Sequence, residues 1–344
     1  MAAEALQLLA SLASADWVVS SLDELASRSD GGAQLATSLR LALSPPAAAS
    51  SSPPSAPPQL AAAHCVCDAL WRAAQEGAGW EAPVLREAFV LACAAAATHE
   101  LASAGAARTP AAAAAALRSL DRAFVMGGPS ELLQPFVDVV EPLVTPPLCD
   151  EITEASELGG EAAREADPTF IGLPVATAPS SLSRKEFKSR FYDADVPVVV
   201  AGGAAAWRSL SEWRRPCWWV SHFGHRTVPL EVGAPGTPAW REELDTVAGL
   251  MRCICMSPPA AAAAPCTDQH EVVYLAQHTL FDQLPSLRGG AWPPPSCVDP
   301  RRVTRTNAWI GSANTVTPLH YDSYDGAWPP IWFFTFLLFF FCFF

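Results

Sequence analysis

Apolar residues recur at three-to-four spacing through the first 43 positions: Leu8, Leu9 and Leu12, then Trp17, Val18, Leu22 and Leu25. That period predicts amphipathic helices. A Pro/Ser/Ala tract over 44–58 interrupts them; it cannot build a core and reads as a loop or linker. Helical signals return over 60–145, at Leu70-Trp71, from Pro83 through Ala97, and from Ala111 to Met126. Gly127-Gly128-Pro129-Ser130 is expected to stop one helix and cap the next. Residues 150–180 turn acidic and then Pro/Ala/Ser-rich, as suits an interdomain connection.

Beyond this connection the period changes. Val196–Val200, Arg226–Val232, Val272–Leu275 and Asn307–Gly311 are short strand candidates separated by Gly/Pro turns. They predict a β-sandwich or barrel, with helices interspersed at Ser183–Tyr192, Trp213–Phe223 and Ala239–Leu250.

The chain has 344 residues, half of them apolar, which is enough for a sizeable core and suggests two domains. Its net charge of −13 argues against direct nucleic-acid binding. The densest basic stretches, Arg184–Arg190 and Arg301–Arg305, read as solvated faces. The N-terminus lacks a cationic segment and carries Glu4, so it reads as a helix rather than a secretory signal. Ten scattered cysteines, including Cys65/Cys67 and Cys253/Cys255, are then expected to be reduced, buried thiols.

Candidate chemistry centres on His320-x-Asp322, an imidazole and a carboxylate two residues apart and so on one face of a strand. Such a pair supplies two of the three ligands of a facial-triad non-haem iron site, but occurs readily by chance. Its surroundings narrow the reading. Asn307-Ala308-Trp309-Ile310-Gly311 and Thr315–His320 precede it; upstream lie Tyr274–Pro285, Gly224–Gly233 and Val196–Gly203. These ordered blocks resemble the Jumonji-C (JmjC) family of 2-oxoglutarate-dependent oxygenases, in its lysine-demethylase-8-like branch. The resemblance implies an α+β chain: a helical N-terminal domain (1–148), a linker (149–180) and an incomplete cupin-like double-stranded β-helix (181–326).

It also implies roles. His320 and Asp322 would ligate Fe(II), with no catalytic residue beyond the metal ligands. Tyr274 and Thr317 would donate hydroxyls to 2-oxoglutarate, the latter with a bend at Pro318. Gln277 and Trp309 would line the substrate side. Read without the resemblance, Tyr274 and Trp309 also suit a plain aromatic core, and Gln277 could serve only backbone groups; His278 reads as structural. The implied reaction couples oxidative decarboxylation of 2-oxoglutarate by O₂ to hydroxylation of a substrate C–H, which on an N-methyl group becomes demethylation. The implied partner is a protein or peptide, a histone tail being one candidate, and the implied location is nucleus or cytoplasm.

Three features depart from the family pattern. No histidine follows His320, Gly326 stands where the family has asparagine, and the only lysines are Lys185 and Lys188. The expectation is a truncated domain, inactive or impaired, with a non-catalytic binding or scaffold protein as the alternative. The uncharged tail 327–344, with eight phenylalanines from Phe333 on, breaks the Ala/Arg/Pro-rich usage of the rest. It reads as non-native sequence from a mis-spliced transcript. A membrane anchor over 331–344 is the second reading and a buried core segment the third, since a Phe run without alternation suits no strand of this fold.

Overall fold

The leucine and alanine period of the first residues forms α1 (Ala2–Ala13), α2 (Asp16–Ser27) and α3 (Gly32–Leu43). The turn between α2 and α3 needs glycine twice. Gly31 adopts φ +86°, and a Cβ on Gly32 would lie 2.0 Å from the Leu25 carbonyl oxygen. The next three helices each begin on a proline, which the first helical turn tolerates: α4 (Pro58–Gln75), α5 (Pro83–Ser103) and α6 (Pro110–Gly127). The last helix of the set is α7 (Gln134–Val140).

These coordinates come from a computed structural model that describes residues 2–28, 31–45, 57–76, 82–104, 110–128, 131–147, 149, 175–256, 271–312, 315, 317, 325–327, 330–332 and 337–343. The chain divides into two units: Met1–Pro146 with His225–Val228, and Pro147–Gly224 with Pro229–Phe344.

In the first unit α5 is the central helix. It is apolar on every side, and fifteen of its 21 residues are buried. The Ala94–Ala97 run lets neighbouring backbones approach closely, and α1, α2, α3, α4 and α6 all pack on α5. His99 is buried here, its Nε2 2.8 Å from the Ala42 carbonyl. One ion-pair network is also buried. Asp121 of α6 receives the Arg226 guanidinium at 2.7 Å and the Thr227 backbone N–H at 2.8 Å, while Arg226 Nη1 donates to Glu141 at 2.8 Å.

The second unit carries the described strands, apart from Thr227 and Val228, which belong to the first unit. β1 (Ala176–Pro179) and β2 (Val198–Ala201) pair in parallel. Between them runs α8 (Arg184–Phe187), started by a Ser183/Glu186 capping box and continued by a π turn over Lys188–Tyr192. Then come α9 (Ser209–Glu212) and α10 (Pro216–Phe223), whose Trp219 is buried against Trp213 and donates its indole N–H to the Trp213 carbonyl at 2.9 Å. The larger sheet is built from β3 (Thr227–Val232), β4 (Arg241–Thr246), β5 (Val273–His278), β6 (Val303–Gly311), β7 (Asp325–Ala327), β8 (Pro330–Trp332) and β9 (Leu337–Phe343). Its order is β4-β3-β5-β6-β9-β7, with β8 also on β9. The β3–β5, β5–β6, β6–β9, β7–β9 and β8–β9 pairs are antiparallel. Two further helices are α11 (Val247–Met256) and α12 (Leu280–Gln283). The chain is thus mixed helix and antiparallel sheet.

Four expectations differ from what is found. The helix expected at Ala239–Leu250 is a strand, β4, followed by α11; Thr246 accepts the Gly249 N–H at 3.0 Å and so caps that helix. The charged run Arg241-Glu242-Glu243 resembles a helix face but is the outward surface of an edge strand. Ser130 lies outside the described residues, and α7 starts after Leu133 without a side-chain cap. Cys149 and Cys217 form a disulfide, their Cα atoms 5.6 Å apart and so within bonding range, and Cys65 is exposed; Cys67, Cys93 and Cys297 are buried free thiols. Finally, Leu337–Phe343 is a strand whose backbone pairs with β6 from Ile310 to Val303, where no strand was expected. Among the described residues no single helix is long and apolar enough to cross a membrane; the bent pair α1–α2 passes by length and composition alone.

Candidate functional site

β5 and β6 carry three of the six candidate residues. Their register sets Tyr274 opposite Gly311 and Leu275 opposite Ile310, then slips so that His278 faces Ala308. Two residues, Ala276 and Gln277, therefore stand opposite the single residue Trp309. This is a β-bulge, and Gln277 takes the left-handed φ of +48°. A bulge breaks alternation. Leu275 and His278 on either side are buried, while Gln277 is exposed. His278 is held by Gln283, with Nε2 2.6 Å from Oε1, as befits a structural residue.

Tyr274 and Trp309 form a small buried cluster with Ala276 against them. The Tyr274 ring lies over Gly311, where an added Cβ would come within 2.8 Å of Cδ2 and within 2.6 Å of the Thr315 methyl. Gly311 is thus the floor that seats the ring, a role its place in a strand motif did not reveal. The Tyr274 hydroxyl lies 3.4 Å from Thr317 Oγ1. Burial pushes the phenol pKa up; the Thr317 contact works against this and the Glu231 carboxylate adds to it. Tyr274 therefore stays protonated at neutral pH and can donate.

Two further polar atoms matter. Asn307 is 1% exposed, and its Oδ1 has no hydrogen-bond partner among the described residues; the same holds for Thr315 Oγ1. Buried orphans of this kind call for an explanation, and a bound polar ligand is one. The hydroxyl pair suits a carboxylate acceptor, so the residues present fit a dicarboxylate cofactor. His320 and Asp322 lie outside the described residues, as does Pro318. Among the described residues no group of three or more His, Cys, Asp or Glu is arranged to hold a metal.

No family model matches the sequence. Curated proteins do. The chain is 34% identical to a lysine-specific demethylase, JMJ30, of Arabidopsis thaliana, over 42% of its own length and 32% of that protein's. It is 30% identical to lysine-specific demethylase 8 of Danio rerio over 60% of this chain and 51% of the relative. A JmjC domain-containing protein F of Dictyostelium discoideum matches 74% of the chain at 26% identity, and 63% of that protein is covered. The chain is thus similar to JmjC-domain proteins at 26–34% identity. It spans less than two thirds of the length of each of these JmjC relatives. The Dictyostelium match is wider than everything from Arg184 onward, so the JmjC relationship reaches into the helical half.

Proposed function

We propose that the chain is an Fe(II)- and 2-oxoglutarate-dependent protein oxygenase of the lysine-demethylase-8-like branch, acting as a hydroxylase or demethylase on a protein side chain. The observation that carries this reading is the Tyr274–Thr317 hydroxyl pair, with Trp309 packed on Tyr274 and Thr317 three residues before His320 in the sequence. The antiparallel sheet is read as part of a cupin-like double-stranded β-helix within residues 181–326, behind a helical domain over 1–148. His320 and Asp322 would hold the iron. With 2-oxoglutarate and O₂ bound, iron held there would supply the oxidant for a substrate C–H bond.

The chain's own residues then bind and orient. The protonated Tyr274 phenol and the Thr317 hydroxyl donate to one 2-oxoglutarate carboxylate. Trp309 offers an aromatic wall to a cationic side chain. Gln277, brought opposite Trp309 by the bulge, presents its amide at the substrate side. The net charge of −13 draws in a basic segment such as a histone tail, in nucleus or cytoplasm.

A second reading, a non-catalytic binding or scaffold protein, is favoured by one observation: Gly326 stands where the family resemblance expects an asparagine. Calorimetry with Mn(II) and 2-oxoglutarate separates the two. Micromolar binding that disappears in His320→Ala supports the oxygenase; absence of binding leaves the scaffold.

A further inference from the structure

Away from the Tyr274 face, the second unit brings together the two densest basic stretches of the sequence, Arg184–Arg190 and Arg301–Arg305. A single carboxylate joins them. Asp299 accepts from Arg184 Nη1 at 2.8 Å and from Arg301 Nη2 at 3.0 Å. Its hydrogen bonds with Arg301, helped by the charge of Arg184, hold the Asp299 pKa down to about 2, so the bridge stays ionised. One small core also lies beneath both stretches. Phe187 of the first stretch and Phe191 just after it share this cluster with Val298, just before the second stretch, and Val303 within it. Ser296 ties the same segments by donating to the Ser180 carbonyl at 2.7 Å. The fold therefore builds this juxtaposition; it is not a chance meeting of long side chains.

The result is a basic face on an acidic molecule. Residues 184–195 and 299–305 hold seven of the 22 basic side chains, both lysines included, against four of the 35 acids. Their local charge is +3, while the remaining residues sum to −16. Lys185, Arg302 and Arg305 are exposed and have no ion-pair partner among the described residues. At physiological salt charges act over about 8 Å, so a ligand seated here feels the local sign rather than the net one.

We propose that this face docks an acidic, Glu/Asp-rich polypeptide segment of a partner protein. Arginine forks match carboxylates in bidentate geometry, and the Asp299 bridge is an internal example of the contact expected. A short peptide ends within the face. A nucleic acid, a longer polyanion, is disfavoured by the chain's net charge of −13. The docked segment differs in sign from the basic substrate proposed above, so the face recruits a different chain from the one the site would modify.

The experiment is fluorescence anisotropy of a labelled ten-residue Glu/Asp peptide with the full chain. Binding is expected at 50 mM salt, several-fold weaker at 200 mM. The double variant Lys185→Glu/Arg302→Glu should bind at least tenfold more weakly with an unchanged circular dichroism spectrum. Arg241→Gln, an exposed arginine outside the face, should bind within twofold of the parent. The proposal is overturned by no binding at 50 mM salt, by equal losses in both variants, or by a ten-nucleotide single strand outcompeting the peptide.

Discussion

The Asp121 network and the β5–β6 strands both bury polar groups, and they treat them in opposite ways. In the helices, Asp121 is 1% exposed and receives three N–H bonds from Arg226 at 2.7–3.2 Å, plus the Thr227 N–H at 2.8 Å. That carboxylate has little acceptor capacity left for anything else. On β5–β6, Tyr274 and Thr317 meet at 3.4 Å, at the weak end of the hydrogen-bond range, and Asn307 Oδ1 finds no partner among the described residues. Saturated polar groups hold a fold together, while unsaturated ones keep their hydrogen bonds for a ligand.

The largest expected effect tests the saturated side. Asp121→Ala leaves the Arg226 charge buried without the carboxylate that receives most of its hydrogen bonds. Breaking a buried pair in this way costs about 3–5 kcal/mol, read as a lower urea midpoint. A loss below about 1 kcal/mol would mean the network is not what holds this region. Tyr274→Phe tests the unsaturated side. Deleting a hydroxyl that donates to a charged carboxylate should weaken 2-oxoglutarate binding by about 1.5–3 kcal/mol, roughly 10- to 100-fold by calorimetry, and leave the urea midpoint nearly unchanged. Equal effects on binding and stability would erase the contrast. Gly311→Ala lies between the two. Its Cβ would press on the Tyr274 ring and the Thr315 methyl, so an overpacking cost of about 1–3 kcal/mol should come with weaker ligand binding.

The sequence carried these two regions unequally. The helices were legible because α5 is apolar on all sides and prolines mark the starts of α4 to α6. The β5–β6 pair was legible through its β-branched and aromatic runs and through the motif around Trp309. Three features were hidden, for physical reasons. The bulge that exposes Gln277 is set by pairing register, which one strand alone does not reveal. The Asp121–Arg226 pair joins residues 105 apart. β4 was mistaken for helix because an edge strand with charged outward residues has no apolar alternation; Asp245-Thr246 before Val247 was the available sign that a helix begins only there. Of the six candidate site residues, Tyr274, Gln277, Trp309 and Thr317 lie among the described residues. Tyr274 meets Thr317, and the bulge sets Gln277 opposite Trp309.

The smallest expected effect returns to the helices and asks whether their buried groups are uniformly saturated. His99 bonds Ala42 through Nε2, yet its Nδ1 has no partner among the described residues. Burial lowers its pKa below 6.5, and the Ala42 carbonyl offsets this only in part. As pH falls through 6.5 the unfolded chain takes up this proton first, so the stability His99 contributes above 6.5 is lost progressively towards the folded pKa. His64 acts with the opposite sign. Its bond to Glu100 raises its pKa, so its contribution is present below 6.5 and fades as pH rises through the folded value. With half its side chain exposed, solvent screens that contribution. The net expectation is a lower unfolding midpoint at about pH 5.5 than at about pH 7.5. In His99→Gln, which cannot take up a proton, the difference between the two pH values should shrink. If it persists unchanged, the acid sensitivity comes from elsewhere and the orphaned Nδ1 is tolerated without cost.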